Sequence, residues 1–186
     1  MIARLCLALA AWACLAGGAC ADSPGFLLFQ KLCIDTHAKP DVALAAARAA
    51  GFVRPMGSMT KDLPSLQFEG PQALAKLVDD GAVMLIVGAK PFPAAPGTTM
   101  IGCALVVAPP ETGAEEALEA WAGAGRITAE DGQPFFLFVG DRTHRRAGAD
   151  LTADELAASA KSGDLQIAAS SHKPEATVLI YGLVQP

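Results

Sequence analysis

Two cysteines, Cys33 and Cys103, constrain the fold of this chain more than any other pair of residues. The sequence has five cysteines, but the other three lie in an apolar N-terminal segment that we expect to be removed. An even number of cysteines in an exported protein is typical of an oxidised pair. We therefore predict a disulfide that ties the region of Cys33 to an apolar run 70 residues later.

The first 21 residues have the organisation of a secretory signal peptide. One positive charge, Arg4, precedes an apolar stretch at 5–15 that is too short to span a bilayer, which takes about 20 residues. Small residues at 19–21 match what signal peptidase reads, and we place the cut after Ala21. The mature chain, 22–186, is then expected in the periplasm or outside the cell, without a transmembrane segment.

Cys20 leaves an alternative open, in which the chain is an outer-membrane lipoprotein acylated on that cysteine. The preceding residues resemble a lipobox, but Gly17 stands where a large aliphatic residue is usual. A single acyl chain is only a marginal anchor on its own. We therefore favour cleavage without lipidation.

The mature chain has the size of one domain and an acidic balance. Loss of Arg4 with the signal peptide changes the formal net charge from −5 to −6, and no long basic block is present. These features argue against a nucleic-acid partner. The alanine-rich, asparagine-free composition is typical of a GC-rich bacterial genome, and it means that no site can use an asparagine side chain.

Two helices are predicted at the start of the mature chain. Ser23 is a preferred N-cap and Pro24 fits the first helical position. Apolar residues recur from there at helical spacing up to Cys33, which places that cysteine on the buried face near the helix end. Pro40 opens the second helix, and Gly51 is its C-terminal cap.

The rest of the chain predicts a sheet with further helices. Its centre is expected from four apolar runs, which lie at 82–88, 100–108, 135–139 and 177–184. Capping boxes that begin at Thr112 and Thr152 predict two later helices. We therefore predict a single α+β domain, in which an antiparallel sheet of about five or six strands is covered by two N-terminal helices and at least one later helix.

The segment 71–80 has two interpretations. Asp79-Asp80-Gly81 between two apolar runs predicts a hairpin, since glycine accepts the positive φ that such turns need. The same residues also fit a helix that Gly81 caps. We favour the hairpin, and both interpretations stay open at this point.

Several features of the layout occur together. They are the signal peptide, Phe26 and Phe29 before Cys33, then Asp41, Ala49, Gly51 and Phe52, a hairpin, and the run Cys103-Ala104-Leu105-Val106-Val107 followed by a helix. This pattern resembles a loose group of small uncharacterised exported proteins of alphaproteobacteria. The resemblance covers most of the mature chain. It implies no activity, so no functional residue is carried over.

One catalytic motif is present. Ser58 and Lys61 match the S-x-x-K motif of penicillin-binding proteins, in which the lysine amine takes the proton of the nucleophilic serine. The K-T-G and S-D-N motifs that accompany it in those enzymes are absent. A small periplasmic serine hydrolase that uses Ser58 and Lys61 is therefore our alternative hypothesis. A Cys33–His37 thiolate pair is a weaker idea, because we expect Cys33 to be oxidised.

The densest polar cluster follows the predicted strand at 135–139. Its cationic side chains offer bidentate donors to an anion, although a charged loop is also an ordinary surface feature. If the protein binds a ligand, we expect it at four residues of this cluster, Arg142, His144, Arg145 and Arg146.

The sequence has no recognisable metal or cofactor motif, so we predict neither group. His37, His144 and His172 lie far apart along the chain. Our leading hypothesis is an exported domain without catalytic residues that binds an unknown envelope protein or a small ligand.

Overall fold

The structure is a computed structural model that describes residues 23–55, 68–123, 126–128, 134–141 and 143–186. Its α-helices are α1 (Pro24–Phe29), α2 (Pro40–Ala49), α3 (Ala114–Ala122) and α4 (Ala153–Ser162). A π-helical segment, Gln30–Ile34, continues α1, and a 3₁₀ turn covers Gly148–Asp150. The strands are β1 (Glu69–Val78), β2 (Gly81–Pro91), β3 (Thr99–Ala108), β4 (Arg126–Thr128), β5 (Pro134–Val139), β6 (Arg146–Ala147), β7 (Leu165–His172) and β8 (Thr177–Gln185).

The described strands form one antiparallel sheet in the order β1-β2-β3-β8-β7-β5-β4, and β6 pairs with β5. The predicted α+β class is confirmed, but the predicted strand number of five or six is wrong, since eight strands are described. The missed strands are β4 and β6, which have three and two residues. Segments this short do not carry a hydrophobic period that a sequence pattern can reveal.

The 71–80 segment is a strand, which confirms the hairpin and excludes the helix. Val78 pairs with Gly81 across the turn at Asp79-Asp80. Gly81 is needed for space rather than for a positive φ, because a Cβ at this position would clash with the carbonyl oxygen of Ala108. The neighbouring strand end therefore explains this glycine.

The N-terminal helices and α3 cover one face of the sheet and bury the main core. Phe29 and Leu32 are fully buried against sheet residues such as Leu105 and Leu179. On the other face of the sheet, Ala160 of α4 packs near Leu165 of β7. Both predicted N-terminal helices are thus confirmed.

The caps of the later helices differ in how well the sequence predicted them. The capping box at Thr152 is formed, with Glu155 as its reciprocal partner. The box predicted at Thr112 is not formed, because Gly113 is the N-cap of α3 and adopts a φ of 87°. After α2, Gly51 has a φ of 86°, as expected for the glycine that follows a helix.

The predicted disulfide between Cys33 and Cys103 is present, with the two Cα atoms 5.3 Å apart. Both cysteines are fully buried. The bond joins the π-helical segment to β3, in the middle of the sheet. It therefore pins one particular turn of the helical layer to the sheet.

Candidate functional site

A cleft of about 550 Å³ lies beside the π-helical segment, and we call it the polar cleft. One wall consists of Gln30, Ile34, Asp35 and His37. A second group of lining residues, Gly140, Asp141, Asp164 and Gln166, comes from the sheet and its loops, and we call it the opposite wall. The remaining lining residues are Trp121, Arg145 and Tyr181. Because Trp121 and Tyr181 are almost fully buried, we call these three residues the floor.

The helical wall has an unusual backbone. Asp35 N–H donates to the carbonyl oxygen of Gln30 at 2.9 Å, which is the wider hydrogen-bond spacing of a π-helix. His37 and Ala38 then adopt φ values of 54° and 53°, which residues other than glycine rarely adopt. Such strained or irregular backbone is frequent at functional sites. It persists only where the surrounding structure holds it in place. The bond from Cys33 to the sheet supplies part of that support.

The guanidinium of Arg145 is fixed from two directions. It stacks over the rings of Trp121 and Phe138, with Cζ 4.1 Å and 4.5 Å from their centroids. Its Nη1 donates to the carbonyl oxygens of Trp121 and Ala122, the second at 2.9 Å. These carbonyls belong to the last turn of α3, where a cation also complements the helix dipole.

A chain of hydrogen bonds joins the floor to the opposite wall. The Tyr181 hydroxyl donates to Oε1 of Gln166 at 2.9 Å, and Nε2 of Gln166 donates to the carbonyl oxygen of Gly140 at 2.7 Å. Burial raises the pKa of Tyr181 to about 12, against a smaller opposing effect of the charge on Arg145. The phenol therefore stays protonated near neutral pH and acts as a donor.

Asp141 is an exposed carboxylate that its own loop holds ionised. Its Oδ1 accepts hydrogen bonds from the Thr143 hydroxyl at 2.6 Å, from Thr143 N–H at 2.8 Å and from His144 N–H at 3.0 Å. The hydrogen bond from the Thr143 side chain is the largest of the effects that lower the Asp141 pKa to about 2. This wall therefore presents a permanent negative charge at physiological pH.

Of the four predicted ligand-binding residues, the three that the structure describes are not brought together. Arg145 lines the polar cleft, whereas Arg146 donates to Oε1 of Glu155 at 3.1 Å on the surface. The His144 side chain is 86% exposed and lies beside Asp141. Arg142 lies outside the described residues. Since successive side chains of an extended segment point to opposite sides, the neighbours Arg145 and Arg146 are separated, and a binding role for this set stays a prediction.

Most of the polar cleft was not found from the sequence. Its residues come from the helical layer, α3, the loop after β5, β7 and β8. No local motif connects segments so far apart along the chain. One usable signal was the pair Gln166 and Tyr181, which place polar atoms within predicted apolar strands, where buried polar groups need partners.

The other proposed catalytic residues have separate outcomes. Cys33 carries no thiol, because it is bonded to Cys103, so the Cys33–His37 nucleophile is wrong. His37 lies instead in the wall of the polar cleft. Ser58 and Lys61 fall outside the described residues, so the serine hydrolase stays a prediction.

The residues that the structure describes include no group of three or more His, Cys, Asp or Glu side chains that could hold a metal ion. Within the same part of the chain, no helix has the length and apolar character needed to cross a membrane. A second cleft, of about 380 Å³, lies between α2 and β1 and is lined by residues that include Arg48 and Arg54.

Comparison of this chain with family models, with curated proteins and with solved structures finds no significant match. The resemblance to small exported proteins of alphaproteobacteria therefore stays a prediction. What the chain does must be argued from the polar cleft itself.

Proposed function

We propose that this protein is an exported binding domain that holds a small polar ligand in the polar cleft and does not transform it. The observation that carries the proposal is the fixed guanidinium of Arg145 in the cleft floor. A side chain that is already immobilised loses little further freedom when a ligand binds. Concave sites with a few well-placed polar groups are the usual form of small-molecule sites.

The chemistry of the lining supports binding rather than catalysis. Its described residues include no serine, threonine, cysteine or lysine, so the lining offers no aliphatic hydroxyl, thiol or amine nucleophile. The pKa values of Asp141 and Tyr181 are shifted to about 2 and about 12, in both cases away from neutral pH. Efficient proton-transfer groups have pKa values near the working pH. These two side chains therefore suit fixed hydrogen bonding.

The disulfide that anchors the helical wall supports the proposed export. Disulfides persist in oxidising compartments such as the periplasm, and the bond lies directly behind the cleft wall at Cys33. The signal peptide at 1–21 supplies the route to that compartment. Intact mass of the secreted protein tests this step, since cleavage after Ala21 and acylation of Cys20 give different masses.

A ligand screen by thermal shift, followed by affinity measurements on variants, tests the binding proposal. Asp164→Asn and Gln30→Ala change opposite walls, and we expect each to weaken the best ligand at least about tenfold, the effect of losing one good hydrogen bond. Arg146→Gln is the matched control, because Arg146 adjoins Arg145 in sequence but pairs with Glu155 outside the cleft. Ligands whose affinity is unchanged by both wall variants contradict the proposal.

The serine hydrolase remains the second candidate because of its S-x-x-K match. A fluorophosphonate or penicillin probe should label the protein if Ser58 is a nucleophile, and Ser58→Ala should abolish the label. Labelling that depends on Ser58 would favour the enzyme over the binding domain. We expect no labelling.

A further inference from the structure

Negative charge predominates in the lining of the polar cleft. The described lining residues include one side chain that is always cationic, Arg145. They also include three carboxylates, Asp35, Asp141 and Asp164, which come from separate segments and are present on both walls. With His37 neutral, the described lining therefore carries a net charge of −2.

Two of these carboxylates stand at helix ends that disfavour negative charge. Asp35 is the C-cap of the helical stretch formed by α1 and the π-helical segment, and Asp164 follows Gly163, the C-cap of α4. The backbone N–H of Asp164 donates to the carbonyl oxygen of Ser159 at 3.0 Å, which holds the residue at the end of that helix. A helix C-terminus carries partial negative charge and is stabilised by cations. Helix stability therefore does not explain a carboxylate at either position.

A third helix end borders the same cleft and shows how a cation can satisfy it. The last turn of α3 presents the carbonyl oxygens of Trp121 and Ala122, and the guanidinium of Arg145 donates to both. The positive charge of Arg145 is thus already matched to the negative end of α3. Neither Asp35 nor Asp164 forms an ion pair with any residue that the structure describes.

We infer that the ligand of the polar cleft is a small organic cation that carries ammonium groups. The inference rests on the proposed binding function and deepens it by naming the class of ligand. An ammonium group offers three N–H donors together with the positive charge that the carboxylates and helix ends favour. Charge-assisted hydrogen bonds of this kind are about twice as strong as neutral ones.

The spacing of the acidic side chains favours an extended cation over a compact one. Across the described ranges, no three His, Cys, Asp or Glu side chains are grouped so that they could hold one metal ion. The cleft volume of about 550 Å³ lies in the range that accommodates an organic molecule. A diamine has a charge at each end, so it suits a site with Asp35 on one wall and Asp141 and Asp164 on the other.

Three probes with four carbons each and different charges test the inference. Putrescine is a dication at neutral pH, butane-1,4-diol is neutral and succinate is a dianion. Each is titrated into the secreted protein by calorimetry at constant ionic strength, and amide chemical shifts locate its site. We expect putrescine to bind with a Kd below about 1 mM, to shift amides on both walls, and to bind at least about tenfold more tightly than the other two. Failure of putrescine to bind, or equal binding of succinate or the diol, overturns the inference.

Neutral variants of the carboxylates assign the effect to the cleft. Asp35→Asn and Asp164→Asn keep the size of the side chain, and we expect each to weaken putrescine binding at least about tenfold. The matched control is Asp80→Asn, because Asp80 lies in the exposed turn between β1 and β2 and does not line the cleft. Equal losses in all three variants would show a general charge effect and overturn the inference.

The stability of the unliganded protein separates a ligand contact from a structural one. Because both carboxylates oppose the helix dipoles, we expect the melting temperatures of Asp35→Asn and Asp164→Asn to equal or exceed that of the wild type. A melting temperature more than about 3 °C lower in both variants would show that the carboxylates support the fold, against the inference.

Failure of the inference and failure of the proposed function give different results. A screened ligand that is neutral or anionic, yet shifts amides on both walls of the polar cleft, leaves the proposed function standing and overturns the ammonium class. Ligands whose shifts all fall outside the cleft overturn the proposed function and, with it, the inference.

Discussion

The two walls of the polar cleft are held in place by different kinds of interaction. The wall at residues 30–37 contains Cys33, so a covalent bond joins it to Cys103 of β3. The opposite wall depends on non-covalent contacts, among them the hydrogen bonds that Asp141 accepts and the bond from Gln166 to Gly140. The same site therefore has one wall that responds to reduction and another that responds to charge and pH.

This difference shows how a small domain can position a site. The helical wall has an irregular backbone, with a π-helical segment and two residues at positive φ, which a covalent anchor helps to hold. The opposite wall follows the ends of regular strands, where the ladder already fixes the backbone. Local side-chain hydrogen bonds are then sufficient to orient it.

Removing the disulfide should have the largest effect. In the chain-entropy model, a loop of this length stabilises the fold by about 4 kcal/mol. We expect Cys33→Ser/Cys103→Ser to lose about that much free energy of unfolding in urea melts, with a melting temperature about 10 °C lower. A reductant should destabilise the wild type by a similar amount and leave the stability of the double variant unchanged. Equal stability with and without the bond would contradict this prediction.

Arg145 should come second. Arg145→Met keeps a long side chain but removes two charge-assisted hydrogen bonds to the end of α3 and the stacking over Trp121 and Phe138. We expect a loss of about 2–3 kcal/mol in urea melts. The control is Arg146→Gln, for which surface exposure predicts little change. If both variants behave alike, Arg145 does not organise the floor.

Tyr181 should have a smaller effect that spectroscopy can isolate. Tyr181→Phe removes the donor to Gln166 and should cost about 1 kcal/mol. Tyr181 is the chain's sole tyrosine, so its absorbance titration should show a midpoint near its pKa of about 12. Because the folded pKa is raised above 10, this stabilisation is present below pH 10 and is lost as the pH rises through about 12. A titration midpoint near pH 10 in the folded protein would show that the Tyr181 phenol is not buried in this way.

Asp141 should give the smallest effect, and the pH dependence of that effect should be confined to acid. Its folded pKa of about 2 lies below the ordinary 3.8, so its contribution is present above pH 4 and is lost as the pH falls towards 2. The melting-temperature difference between the wild type and Asp141→Ala should therefore shrink across that window. A difference that is the same at pH 2 and at pH 6 would show that the carboxylate charge plays no part.

The sequence predicted the structural features that depend on hydrophobic periodicity or on the chemistry of individual residues. The Cys33–Cys103 bond was predicted from the cysteine count and the expected compartment. The 71–80 hairpin was predicted from Asp79-Asp80-Gly81, although the turn itself is Asp79-Asp80 and Gly81 already pairs with Val78. The strands β4 and β6 were not predicted, because segments of three and two residues are too short to show a hydrophobic period. The capping box at Thr112 failed because the chain starts α3 from a glycine at positive φ instead.

The candidate site was harder to predict than the fold. The Arg142–Arg146 cluster was singled out by its charge, yet side chains in an extended segment alternate, so Arg145 enters the cleft while Arg146 meets Glu155. Gln30, Asp164 and Gln166 belong to the same cleft only because the sheet order brings β5, β7 and the helical layer together. Single-sequence patterns do not contain that order.

The most direct test of the binding proposal is amide chemical-shift mapping of the best screened ligand on the ¹⁵N-labelled mature protein. We predict that the perturbed amides fall on both walls of the polar cleft, at residues 30–37 and at 140, 141, 164 and 166. The reduced protein, kept at a temperature where it remains folded, should bind the ligand more weakly because the wall at Cys33 has lost its anchor. Shifts confined to the second cleft, around Arg48 and Arg54, together with an affinity that reduction does not change, would contradict the account.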